Sequence, residues 1–263
     1  MIKIGIGGWV FEPWRGVFYP DGLPQKRELE HASRHVTSIE INGTYYGTQK
    51  PESFRKWAAE TPDDFVFALK GSRYTTNRRV LAEAGDSIRR LIDSGITELG
   101  DKLGPINWQF METKQFDPED FEAFLALLPK TEGSRRLRHA VEVRHQSFKT
   151  PEFIALARRY GVAIVLADSD SFPLIADPTA DFIYARLQAA SEVEELGYSD
   201  AALDTWQRRA EHFAAGGIPD DLPRLADPDD KTSGRDVFIY MINGFKPKAP
   251  AAAMALIRRL EQR

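Results

Sequence analysis

The sequence contains no cysteine, which removes disulfides, thiolate nucleophiles, iron–sulfur ligation and cysteine zinc sites together. Histidine is scarce, five in 263 residues, and multi-metal centres draw heavily on imidazole. No apolar run approaches the roughly 20 residues of a membrane span. The apolar stretch Met1 to Trp9 is too short for a signal-peptide core, and Pro13 and Arg15 soon follow it. A cytoplasmic protein that does not cross a membrane is expected. An excess of positive charge is also missing: 35 Lys and Arg face 39 Asp and Glu, a formal net charge of -4. No global field draws in nucleic acid or anionic lipid, so any anion site must be local.

What is present is the composition of a soluble globular domain, 42% hydrophobic and 28% charged. Short apolar runs alternate with stretches of helical period. Eight candidate strands follow: Lys3 to Trp9, Ser38 to Asn42, Phe65 to Lys70, Ile106 to Phe110, His139 to Arg144, Ala163 to Ser169, Phe182 to Leu187 and Val237 to Asn243. Several are apolar on both faces, as parallel strands under helices require. Between them Asp117-Pro118-Glu119 reads as cap, first-turn proline and first-turn acid of a helix. Thr150-Pro151 opens another helix that Gly161 ends, Pro51 and Pro250 open two more, and a further one runs from about Ser199 to Ala214. Eight strands with helical crossovers predict an α/β fold, a single-domain (β/α)8 TIM barrel over residues 1–263.

Two connections are irregular. Asp170 to Asp181, with Pro173 and Pro178, leaves little room for a crossover helix after the sixth strand. The polar stretch Gly216 to Asp236 precedes the eighth strand and is therefore expected at the amino end of the barrel.

In a parallel barrel, polar residues at the carboxyl ends of strands point into the mouth. Glu40 and Asn42 share one face of the second strand, and Glu142 and Arg144 share one face of the fifth, with His145 just past its end. Lys70, Gln109, Asp168, Arg186 and Asn243 lie at or near the ends of the third, fourth, sixth, seventh and eighth strands. Lys70, Arg144 and Arg186 suit a phosphate, sulfate or carboxylate group. Glu40, Glu142 and Asp168 are candidates for acid–base catalysis. A buried ion network that only fills the barrel is the competing reading of the same charges. Trp9 and Tyr45 are candidates for a stacking wall, within an aromatic set that includes Phe11, Trp14, Phe18, Tyr19 and Tyr46. Packing of loops onto the domain is the favoured reading for any single member of that set, with Trp9, at the strand end itself, the preferred exception.

Other motifs fail. Gly5, Gly7 and Gly8 lack the third glycine of a dinucleotide fingerprint, since Val10 stands there. His31 and His35 have metal-binding spacing but are expected on a solvated helix face away from the mouth. No Walker-type or nucleophile-elbow motif is present.

Longer strings carry a resemblance. Gly8-Trp9, Trp14-Arg15-Gly16, Phe18-Tyr19-Pro20, Ser38 through Tyr46, Pro51-Glu52-Ser53-Phe54 with Trp57, and Leu103-Gly104-Pro105 follow one another in order. So do Gln109-Phe110, Ala140 through His145, Ala167-Asp168-Ser169, Tyr184-Ala185-Arg186-Leu187 and Tyr198-Ser199 with Trp206. Together they resemble the YecE-like family, a domain of unknown function (number 72 of its series), nearly end to end. The resemblance implies one TIM-barrel domain and no established activity. The chain departs from the family pattern at Met111-Glu112, where prolines are usual, at Gln188-Ala189, where His-Gly is usual, and at Ile242, where a second Asn is common.

Three classes of function remain open. The first is an enzyme acting by acid–base chemistry on a small anionic or sugar-like substrate. The second is nucleic-acid binding or a metal-assisted phosphodiesterase, disfavoured by charge and by the paucity of His. The third is a non-catalytic ligand-binding module. No metal site or cofactor is specified by the sequence, and Glu142 and Asp168 with His145 are the candidate set for a divalent ion.

Overall fold

Side-chain alternation along eight staves builds the barrel. The computed structural model describes residues 1–228 and 233–262. Its staves are β1 (Ile2–Gly7), β2 (Ser38–Ile41), β3 (Val66–Lys70), β4 (Leu103–Gln109), β5 (His139–Glu142), β6 (Ala163–Ile164 and Leu166–Asp168, interrupted at Val165), β7 (Phe182–Leu187) and β8 (Asp236–Met241). All pair in parallel, and the two halves of β6 are the first and last segments of the sheet. The lower half pairs with β5 and the upper half with β7, so the sheet comes round on itself through the split stave.

Two apolar layers follow from the two-residue period. Ile4, Ile6, Ile39, Ile41, Phe67, Leu69, Ile106, Trp108 and Val141 face outward into the layer under the helices. Val66, Ala68, Ala140, Ala163, Val165, Phe182, Tyr184, Phe238 and Tyr240 face inward and fill the barrel. Gly5 lets β1 press against β2, since a Cβ there would lie 2.3 Å from the Ser38 carbonyl oxygen.

The helices start where their capping residues stand. Asp117 accepts from the amides of Glu119 and Asp120 ahead of Pro118–Leu127, and Thr150 accepts from Phe153 ahead of Pro151–Tyr160. Gly161, at φ 65°, closes that second helix. Ser199 caps Asp200–Ala214. No helix forms between Asp170 and Asp181.

The amino end of the barrel is tied by Lys3 to Asp64, Arg138 to Asp236, and the Arg235 guanidinium to the Gly216 carbonyl. The described part of Gly216 to Asp236 packs there, with Asp177 accepting from the Leu225 and Ala226 amides. Positions 229–232 of that stretch lie outside the described residues. Among the described residues no helix is long and apolar enough to cross a membrane.

Candidate active site at the carboxyl end of the barrel

Five staves deliver polar side chains to one level above the apolar filling. Glu40 comes from β2, Lys70 from β3, Asn107 from β4, Glu142 from β5 and Arg186 from β7, and all five are buried. Arg186 is the hub. Its Nη2 donates to Glu40 Oε1 at 3.0 Å, its Nη1 donates to Glu142 Oε2, and Nη1 also reaches Gln109 Oε1 at 3.2 Å. Glu142 Oε1 takes both Nε and Nη2 of Arg144, at 3.0 and 2.7 Å. Tyr184 donates to Glu40 Oε2 at 2.6 Å, and Asn107 Nδ2 lies 3.4 Å from Glu40 and 3.3 Å from Glu142.

The carboxylates are therefore saturated. Burial alone would push the Glu142 carboxyl upward, but Arg186, Arg144 and Lys70 outweigh it and bring it down to about 2. Burial works against the charge on Arg186 too, yet Glu142 and Glu40 hold it charged. A carboxylate held by two guanidinium groups is a poor proton carrier, because taking up a proton forfeits both ion pairs. The geometry thus favours the ion-network reading for Glu40 and Glu142 over a role as general acid or base.

Lys70 is different. Its side chain is only 9% exposed, yet among the described residues Nζ has no hydrogen-bond acceptor. The amine lies over the face of Tyr45, 4.7 Å from the ring centroid. Burial, with Arg186 next, pushes the amine down to about 8, against the opposing pull of Glu40 and Glu142. Three cations, Lys70, Arg144 and Arg186, face two carboxylates, so the level carries one net positive charge. Arg186 Nε and Asn107 Oδ1 are buried there without a protein partner among the described residues.

A cleft of about 280 Å³ opens on the β1–β2 side of the rim, lined by Trp9, Asn42, Gln49, Trp57 and Lys246 among others. Trp9 stands edge-on to Trp57 at 5.2 Å and to Phe67 at 6.4 Å. Trp14 and Tyr19, by contrast, are fully buried and hold their own loop together. They are packing residues.

Of the residues expected at the mouth, Glu40, Lys70, Tyr45, Gln109, Glu142, Arg144 and Arg186 converge on the charged level, and Trp9 and Asn42 join in the cleft. Three do not converge. Asp168 shares the outward face of β6 with Ile164 and Leu166, is reached by Tyr198 at 3.4 Å, and has its carboxyl pushed up by burial. His145 caps the short turn Gln146–Phe148, accepting on Nδ1 from the Ser147 amide at 3.2 Å. Asn243 is exposed and lies 3.4 Å from Gln188. Glu142, Asp168 and His145 therefore form no metal site, and among the described residues no three His, Asp or Glu side chains are grouped as a metal ion requires. Of the two other histidines, His35 is exposed as expected of a solvated face, whereas His31 is half-buried against Phe18 and Tyr19, and their rings stack at 4.2 Å.

Sequence reasoning missed Asn107 and Tyr184, each two residues before a residue it did select, and Phe172, whose ring lies 4.3 Å under the Arg144 guanidinium. The strand period was the signal for the first two. Nothing local marks Phe172.

Fold and site together define a parallel α/β barrel with a charged, largely self-neutralised mouth. The chain belongs to the family described as protein of unknown function DUF72, whose model matches residues 3–263. It is similar to the UPF0759 protein YecE of Escherichia coli strain K12, 28% identical over 148 residues, 56% of this chain and 50% of that protein. It is similar also to the UPF0759 protein YunF of Bacillus subtilis strain 168, 26% identical over 158 residues, 58% of this chain and 54% of that one. The chain thus spans about half the length of the curated relatives it matches. A crystal structure of a DUF72 family protein from Thermotoga maritima superposes over 100% of both chains with a TM-score of 0.75 at 24% identity.

Proposed function

We propose that this protein binds a small anionic molecule at the carboxyl end of its barrel and exchanges a proton with it through Lys70. The observation that carries the reading is the buried Lys70 amine, which has no hydrogen-bond acceptor among the described residues and gives its level one net positive charge. An anion bearing a carboxylate or phosphate group would neutralise that charge, and an amine near 8 takes and returns protons close to neutral pH. Glu40 and Glu142 then act indirectly, by fixing Arg186 and Arg144. The Trp9–Trp57 cleft, with Asn42 and Gln49 as hydrogen-bonding groups, is a separate apolar-walled recess on the same rim. Nucleic acid fits less well, because the overall charge is -4.

Thermal unfolding in phosphate or sulfate against chloride, at matched ionic strength, tests the reading. Wild-type protein should be stabilised by the divalent anion, by about 2.7 kcal/mol at 100 times its dissociation constant, and Lys70→Met should lose the effect. Equal stabilisation of both proteins would refute the role of Lys70.

A further inference from the structure

We infer that the Lys70 amine is a nucleophile that condenses with the carbonyl group of a small aldehyde, ketone or 2-oxo acid carrying a carboxylate or phosphate. The inference rests on the anion-binding reading and deepens it by naming the substrate class.

Comparison with the other lysines separates a structural role from a chemical one. Lys3 Nζ donates to the Asp64 carbonyl and carboxylate at 2.5 and 3.3 Å. Lys102 Nζ donates to the Ala58 and Thr61 carbonyls at 2.6 and 2.7 Å. Lys248 Nζ donates to the Glu192 and Glu194 carbonyls at 2.6 and 2.5 Å. Each of these amines ties two pieces of chain together. Lys70 ties nothing, although its backbone is held firmly: its carbonyl accepts from Thr44 Oγ1 at 2.7 Å, and the amide of Gly71 donates to Asn107 at 2.8 Å. A rigidly placed, desolvated amine with no acceptor is wasted on architecture and suited to attack.

The surroundings meet the other needs of the reaction. Burial and the neighbouring Arg186 bring the amine down to about 8, so that close to neutral pH the cation is the main form and the neutral amine, whose lone pair attacks, is within reach. Arg144 spends Nε and Nη2 on Glu142, while among the described residues Nη1 has no partner; its side chain is 15% exposed, so it can receive the anionic end of the substrate. In the addition step the nitrogen lone pair forms a C–N bond as the carbonyl π pair moves to oxygen, and a proton passes from nitrogen to that oxygen. The proton that the ammonium form of Lys70 gave up to solvent before the attack returns from solvent to the hydroxyl, and loss of water then gives the protonated imine. No oxidant or reductant takes part. The resulting cation draws electrons from the adjacent carbon, which acidifies its C–H bond.

Borohydride trapping tests this. Wild-type protein incubated with pyruvate or with glyceraldehyde 3-phosphate and then reduced should gain the mass of one reduced adduct, located on the peptide containing Lys70. Lys246 is the internal control: it is partly buried, has no acceptor among the described residues, and rests on the Phe11 and Trp14 rings at 4.6 and 5.6 Å as Lys70 rests on Tyr45. Lys70→Arg keeps a cation and lacks the reactive amine, so it should give no adduct. No adduct in the wild type, or adducts spread over Lys246 and surface lysines, would overturn the inference. The thermal shift measured on the same samples tells whether anion binding fails with it.

Discussion

Replacing Lys70 by methionine should make the folded protein more stable at neutral pH, although it removes the group on which the proposed chemistry depends. A lysine titrating at about 8 in the folded state and at 10.5 in the unfolded chain is destabilising whenever it is charged. At about 1.4 kcal/mol per pKa unit, the difference corresponds to roughly 3 kcal/mol. Exposure of 9% leaves little solvent to screen that penalty. Methionine matches the length of the stem and carries no charge, so about this amount should return as stability, or a rise in Tm of roughly 6 °C for a chain of this size. The effect has a defined pH dependence. Because the unfolded chain binds the proton more tightly, wild-type stability rises from pH 8 toward 10.5, and the advantage of methionine shrinks across that interval. Urea denaturation of both proteins at pH 7 and at pH 10.5 measures this. A methionine variant less stable than wild type at pH 7, or an advantage unchanged at pH 10.5, would refute the picture of an uncompensated buried charge.

The opposite outcome is expected at Arg186, where Arg186→Met leaves Glu40 and Glu142 buried without their shared cation and should lose on the order of 3–5 kcal/mol in chemical denaturation; a loss below about 1 kcal/mol would show that the pairs are not desolvated. Glu142 is held at about 2 against 4.5 in the unfolded chain, so its contribution is present above pH 4.5 and disappears as pH falls toward 2; acid titration of stability should lose this component in Glu142→Gln. Asp117→Ala removes the cap of Pro118–Leu127 and should cost about 1 kcal/mol in urea denaturation, with no change in anion-dependent stabilisation.

Much of the mouth was legible because strand side chains alternate strictly. Glu40 and Asn42, and likewise Glu142 and Arg144, are flanked by Ile39, Ile41, Val141 and Val143, so the polar face must be the inner one. The same rule, applied two residues back from Gln109 and Arg186, points to Asn107 and Tyr184. It gives no answer for Asp168, because both faces of β6 are apolar: Ala163 and Val165 lie inside, Ile164 and Leu166 outside. Register decides that case, since Ala167 pairs beside Arg186 and Asp168 beside Leu187. His145 was lost to a local competitor, the Ser147 amide, which its ring caps.

Sequence alone determined the barrel, its staves and, β6 excepted, their inward faces, because period, capping and turn residues act over a few neighbouring positions. Tertiary structure decided which charges cancel. Arg186 meets Glu40 across 146 positions of chain and Glu142 across 44, and only distances of that kind show that both carboxylates are spent while the amine of Lys70 has no acceptor among the described residues. Pairing is a property of three-dimensional proximity in a low-dielectric interior, which the order of residues along the chain does not encode locally.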